Sequence, residues 1–401
     1  MKVVQINAVY AYSSTGRTTR EMHEYLMREG HESYVFCSKK TADAPNVSLI
    51  GSPFDHKLHG LLSRITDRQG FYSKGTTKML ITSLDEIQPD VVVLRNLHGN
   101  YINVPMLLEW LGKNNTPTII ILHDCWFFTG HCCYYVEDNC DKWKSLCKSC
   151  PAKHKYNKSI FIDNSTSNFK IKHRLLSGIG KLAVVGVSDW VTNEAKQAPI
   201  FAEARIIKRI YNWIDHSVFY PRETDAIRKK YSIKESDFVV LGVAQVWNES
   251  KGLGQFVKLA ENAPDIKVVL VGNATVENKP SNLVLAGVTL NVNELAEFYS
   301  VADVLVNFSN QETFGKVSAE SLSCGTPIIT NRMTANPELC GKNCGYVVES
   351  IDWKEVIGCI EIVKRNGKLS YEKNCYDFSR RNFDRESGLK EYMGLFKELI
   401  S

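Results

Sequence analysis

A chain of 401 residues exceeds the usual size of a single hydrophobic core, so two domains are the first expectation. Its 44% apolar and 23% charged residues are ordinary for a soluble globular protein, and a net charge of +5 without a basic stripe interleaved with aromatics argues against a nucleic-acid binder while permitting weak attraction to anionic lipid. No apolar run approaches the ~20 residues that span a bilayer, and MKVVQINAVY reads as a first strand rather than a secretion signal, so the expected location is the cytoplasm.

Short β-rich runs alternate with helical patterns twice over. VVQINAVY, SYVFCS, DVVVLRNL, TIIILHD, VVGVSD and ARIIKRIYN form the first set; FVVLGVAQV, IKVVLVGNA, NLVLAGV, DVLVNFS and TPIITN form the second. This alternation predicts an α/β protein of two doubly wound parallel sheets, with ligands beyond the carboxyl ends of the strands in a cleft that the two domains face. The expected domains are residues 1–215 and 216–376, divided where NWIDHSVFYPRET loses periodicity, followed by terminal helices over 377–401.

In chain order, Gly16 follows the first strand, in a loop. Residues 54–78 place Leu58, Leu61, Leu62 and Ile65 at helical spacing among five lysines or arginines. Such a stripe either packs on its own sheet, which is the expectation, or docks on a membrane. His123 ends the strand Ile119 to Leu122 and so faces the predicted cleft; the alternative is a satisfied histidine at the edge of a core. Cys132, Cys133, Cys140, Cys147 and Cys150 then crowd into one short segment. Cys132, Cys140, Cys147 and Cys150 supply the four thiolates of a structural zinc site, with His131 as a substitute ligand; unligated thiols and disulfides are the alternatives, the last disfavoured in a reducing compartment.

In the second half, Lys251 lies between a strand and a helix, where its ammonium can neutralise a diphosphate leaving group; otherwise it is a solvated residue. Tyr299 and Leu295 read as core contacts. Asn310 to Gly315 reads as a loop, Lys316 to Ser323 as a helix and Ile328 to Thr330 as a strand. A helix opening with Lys316 and Val317 after Phe314 and Gly315 presents backbone N–H groups and a positive dipole end to a phosphate, and Gly315 permits close approach. Glu312, before the helix, and Glu320, within it, offer charge-assisted hydrogen bonds to hydroxyls. Together these features suggest a sugar nucleotide, against the plainer reading of two helix-end glutamates.

With its flanks, this stretch resembles the donor site of family 4 glycosyltransferases, retaining enzymes of the two-domain GT-B type. The segment HDCWFFTGHCCYY resembles one found in a subset of bacterial members that make surface polysaccharide, typically HDCWxFTGHC. The resemblance implies that Gly16 faces the donor phosphates, that His123 lies near donor sugar and acceptor, that Glu312 positions donor hydroxyls and that Glu320 holds the ribose. It further implies that the last helix crosses back to the first domain. The family commonly adds an arginine to the lysine, yet none lies between Gly242 and Lys251, so another cation fills the role or the phosphate contact is weaker.

The expected activity is therefore transfer of a hexose, with retention, from a UDP- or GDP-sugar to a lipid-linked glycan at the cytoplasmic face of the membrane. No cofactor is expected for transfer, since no DxD pair appears, and zinc is expected only as a structural ion. The alternatives are a sugar nucleotide epimerase of the same fold and a zinc-stabilised scaffold without activity.

Overall fold

Strands Val91–Leu94, Thr118–Leu122 and Leu182–Gly186 are buried at every position, as central strands covered by helices on both faces must be. They belong to a seven-stranded parallel sheet in this computed structural model, which describes residues 1–401. In chain order the strands of that sheet are β1 (Lys2–Tyr10), β2 (Glu32–Lys40), β3 (Val47–Leu49), β4 (Val91–Leu94), β5 (Thr118–Leu122), β6 (Leu182–Gly186) and β7 (Ile206–Arg209), arranged β3-β2-β1-β4-β5-β6-β7. A second parallel sheet of six contains β8 (Phe238–Val246), β9 (Ile266–Asn273), β10 (Leu283–Gly287), β11 (Val304–Asn307), β12 (Ile328–Asn331) and β13 (Gly345–Val348), arranged β10-β9-β8-β11-β12-β13. Strand order reverses between β1 and β4 in one and between β8 and β11 in the other. Edge strands β3 and β13 went unread in the sequence because each is short and mostly half-buried or exposed, without a buried apolar run.

Two compact units result, Met1–Ile210 with Leu389–Ser401, and Tyr211–Gly388. The division falls earlier than residue 215 because the segment after Ile210 already packs in the second unit: Tyr211 meets the ring of Phe383 edge-on at 5.4 Å, and the Ile214 amide donates to the Phe383 carbonyl at 2.8 Å. The terminal segment is also corrected. Helix Leu369–Asn382 stays in the second unit, where Ser379 Oγ meets Ser323 Oγ at 2.6 Å. Only the helix Arg385–Ile400 passes on, and its end is held in the first unit by Lys181 Nζ, which donates to the Ile400 carbonyl at 2.9 Å.

Helix Pro53–Thr66 is inverted relative to expectation. A capping box fixes its start: Ser52 Oγ accepts from the Asp55 amide at 3.2 Å and Asp55 Oδ2 accepts from the Ser52 amide at 2.8 Å. Its buried residues are His59 and Ser63, while Phe54, Leu58, Leu61 and Ile65 are exposed. The stripe does not pack on the sheet because the inner contacts are polar: His59 Nε2 accepts from the Gly70 amide at 3.1 Å and Nδ1 meets Ser73 Oγ at 2.7 Å. That acceptor role keeps the ring neutral, and burial pulls its pKa down to about 4. The folded value lies below the unfolded 6.5, so the stabilisation is full above pH 6.5 and lost as pH falls through about 4. Amide protection factors of this helix should therefore drop between pH 6.5 and 4 by hydrogen exchange, and the acid step should disappear in His59→Gln; pH-independent protection in the wild type would contradict the assignment.

Candidate functional site

A doubly wound sheet opens a crevice outside its strand ends where the order reverses, here β8 beside β11. The turn Glu249–Lys251 follows β8, and Asn248 Oδ1 fixes it by accepting from the Lys251 amide at 3.1 Å. Lys251 Nζ donates to Glu312 Oε1 at 2.6 Å and to Ser309 Oγ at 3.1 Å, both on the segment following β11. The side chains of Lys251 and Glu312 are 37% and 19% exposed, and an ion pair that wet adds about 0–1 kcal/mol to stability. A phosphate can take the ammonium, and sugar hydroxyls can take the carboxylate.

The backbone around the pair is pinned. Thr334 Oγ1 accepts from the Glu312 amide at 2.9 Å, and Glu312 O accepts from the Ala335 amide at 3.2 Å. Three asparagines the sequence analysis missed brace the same loop: Asn331 and Asn336 donate to the Ser309 carbonyl at 2.8 and 3.0 Å, and Asn307 donates to Asn336 Oδ1 at 3.2 Å. The available signal was positional, since Asn307 and Asn331 each end a strand.

Gly315 sits at φ +87° directly before the helix Lys316–Ser323, and a Cβ there would lie 2.8 Å from Leu339 Cδ1. Lys316 and Val317 occupy the first turn, whose amides have no acceptor within the helix. Phe314 is 3% exposed, packed on Tyr211 and Phe383, so its ring serves the core and only its backbone lies at the helix start. Glu320, within the helix, is 2% exposed and accepts from the Tyr299 hydroxyl at 2.9 Å. Tyr299 is fully buried, as a core residue should be.

In the first unit Gly16 is not in a loop. It lies in the first turn of helix Ser13–Arg28, its carbonyl accepting from the Ala11 amide at 3.0 Å; residues 11 and 12 alone separate that helix from β1. His123 follows β5 and is 9% exposed. The buried Arg95 donates through Nη1 to His123 Nε2 at 3.1 Å and to Thr18 Oγ1 at 3.2 Å. Arginine is only a donor, so Nε2 is an acceptor and the neutral ring carries its proton on Nδ1, a donor rather than a base. Next to it, unremarked in the sequence, Asp124 Oδ1 accepts from the Trp126 amide at 2.8 Å, and Oδ2 meets His98 Nε2 at 2.7 Å and accepts from Asn96 Nδ2 at 3.1 Å. Burial opposes the His98 imidazolium, yet Cys133 and Asp124 facing it hold its pKa well above the ordinary value.

All twelve cysteines are free thiols. Cys132, Cys140, Cys147 and Cys150 line one cavity together with His131. Their sulfurs are not drawn as close as the ligand atoms of His98, Asp124 and Cys133, which lie within 4.8 Å of one another.

Both units are parallel-sheet Rossmann-like domains, and this pairing defines the GT-B fold. Sucrose-phosphate synthase from Thermosynechococcus elongatus superposes over 100% of this chain and 99% of its own with a TM-score of 0.72 at 14% identity. HepE of Anabaena, determined in complex with UDP-glucose, superposes over 99% of this chain and 100% of its own with a TM-score of 0.66 at 14% identity. Residues 223–380 match the family described as Glycosyl transferases group 1. By sequence, N-acetyl-alpha-D-glucosaminyl L-malate synthase of Bacillus anthracis is 27% identical over 177 residues, 41% of this chain and 46% of that protein. The chain thus aligns with about half the length of that relative.

Gly315→Ala should lower the unfolding free energy by about 1–3 kcal/mol, from the left-handed backbone and the Leu339 contact. Urea unfolding should show a lower midpoint at unchanged m; an unchanged midpoint would show that the turn relaxes without cost.

Proposed function

We propose that the protein is a retaining glycosyltransferase that moves a hexose from a UDP- or GDP-sugar to a lipid-linked glycan in surface polysaccharide synthesis. The observation that carries the donor half is the Lys251–Glu312 pair at the β8/β11 reversal, beside the start of the helix Lys316–Ser323 and within the segment matching Glycosyl transferases group 1. The presence of UDP-glucose in HepE supports a nucleoside diphosphate sugar as the ligand. As the glycosidic C–O bond breaks, Lys251 and the helix start stabilise the departing diphosphate, whose oxygen takes the acceptor hydroxyl's proton on the same face. Glu312 holds donor hydroxyls.

The lipid-linked acceptor is supported by the inverted helix. Phe54 and Phe161, each 73% exposed, are accompanied by exposed Leu58, Leu61, Ile160 and Ile162 on the helix and the loop 160–162. The Ile160 amide donates to the Arg64 carbonyl at 2.7 Å, which joins loop to helix, and Lys57, Arg64 and Lys158 are exposed among the apolar side chains. Apolar side chains with basic neighbours suit an anionic bilayer surface. No helix is long and apolar enough to cross a membrane.

Saturation with the correct nucleotide at 100 times its Kd stabilises by ~2.7 kcal/mol, so melts against UDP, GDP, ADP and their sugar conjugates should single out one base. Glu312→Ala should abolish transfer with the melt unchanged; full activity in that variant would reject the site, and an isomerised donor instead of a new glycan would establish an epimerase. Phe54→Asp with Phe161→Asp should reduce cosedimentation with phosphatidylglycerol vesicles at least tenfold, whereas equal binding by wild type and variant would reject the docking face.

A further inference from the structure

We propose that Cys132, Cys140, Cys147 and Cys150 bind one zinc ion, which closes the segment 123–164 of the first unit. Between β5 and the helix Ser165–Ser177 this long connection holds only three short 3-10 turns, Trp126–Phe128, Val136–Asp138 and Lys142–Lys144. Connections of such length inside a compact fold need a staple or a function of their own. The four cysteines meet at one cavity, and the Cys132 and Cys150 thiols are already hydrogen-bonded to each other.

The surroundings of the cavity point to negative sulfur. Trp143 Nε1 and His131 Nε2, on residues 1% and 4% exposed that line it, are buried and have no hydrogen-bond partner. The Gly130 amide points at Cys147 Sγ at 3.2 Å. Lys172, 2% exposed, gives its ammonium to the Trp126 carbonyl and the Trp126 ring without touching a carboxylate, with Cys147, Cys132, Cys133 and Asp124 in electrostatic reach. An orphaned N–H and a buried cation without a contacting carboxylate are both costly among neutral thiols. Around a tetrathiolate zinc centre, which carries two net negative charges, the same groups become its hydrogen-bond donors and counter-charge. His131 Nδ1 is held by Asp67, which fixes the direction of its Nε2 at the cavity.

Binding releases four thiol protons to solvent and draws the sulfurs to ~3.8 Å from one another, the edge of a tetrahedron with Zn–S of about 2.3 Å. His98, Asp124 and Cys133 are closer together at present but form a self-satisfied hydrogen-bonded group, since His98 and Asp124 already pair.

Elemental analysis of the purified full chain should find one zinc per chain, absent from Cys147→Ser with Cys150→Ser and retained in Cys133→Ser. Because loss of two ligands can itself unfold the double variant, the wild type is also tested directly: chelation should lower its melting temperature, and cobalt exchange should give thiolate-to-metal charge-transfer absorption. Absence of metal with an unchanged melt under chelation, a disulfide between any two of the four, or metal lost only in Cys133→Ser would each overturn the proposal.

Discussion

Parallel pairing is the constraint from which the rest follows. Every strand in both sheets runs the same way as its neighbours, so within each unit all carboxyl ends emerge along one edge. Helices cover both faces and leave that edge as the place where side chains can be polar without being buried unpaired. His98, His123 and Asp124 follow β4 and β5; Lys251, Ser309, Glu312 and Thr334 follow β8, β11 and β12. Chemistry in this protein is grouped by strand end and not by position along the chain.

The two edges are tuned differently. In the first unit Arg95, Thr18, His123 and Asp124 are buried and hydrogen-bonded, with His98 and Asn96 half-buried on Asp124 Oδ2. Such networks hold fixed geometry and tolerate little rearrangement. In the second, Lys251 and Glu312 are partly exposed and exchangeable, while the backbone carrying them is rigidly braced by Thr334, Asn331 and Asn336. Partly exposed charges on a braced loop can trade one another for a ligand.

The connection 123–164 and the helix Pro53–Thr66 belong to one problem. Ser159 and Ile160 hydrogen-bond to the Arg64 carbonyl, and Asn164 donates to Asp67 Oδ2 and the Thr66 carbonyl, so the cysteine-rich segment buttresses the end of the inverted helix. A staple in that segment would hold the exposed apolar face in place as well as the loop after His123. The inversion also shows the limit of periodicity as a guide. A stripe at helical spacing identifies the helix, but which side faces inward depends on partners at distant positions, here Gly70 and Ser73 around His59.

The sequence by itself determined two doubly wound parallel sheets, most of their strands and the helix Lys316–Ser323 with Glu312 just before its start, because buried β-branched runs and helix-start chemistry are local properties; that Lys251 meets Glu312 came from the structure. It also marked the four cysteines as a group through sheer density. Only the tertiary structure decided that Gly16 is helical, that Glu320 turns inward to Tyr299, that His123 accepts from Arg95, and that Asp124 with His98 stands beside it. Hydrogen bonds between residues 21 to 28 positions apart settle the last three of those facts, and no local pattern encodes which strand end will adjoin which.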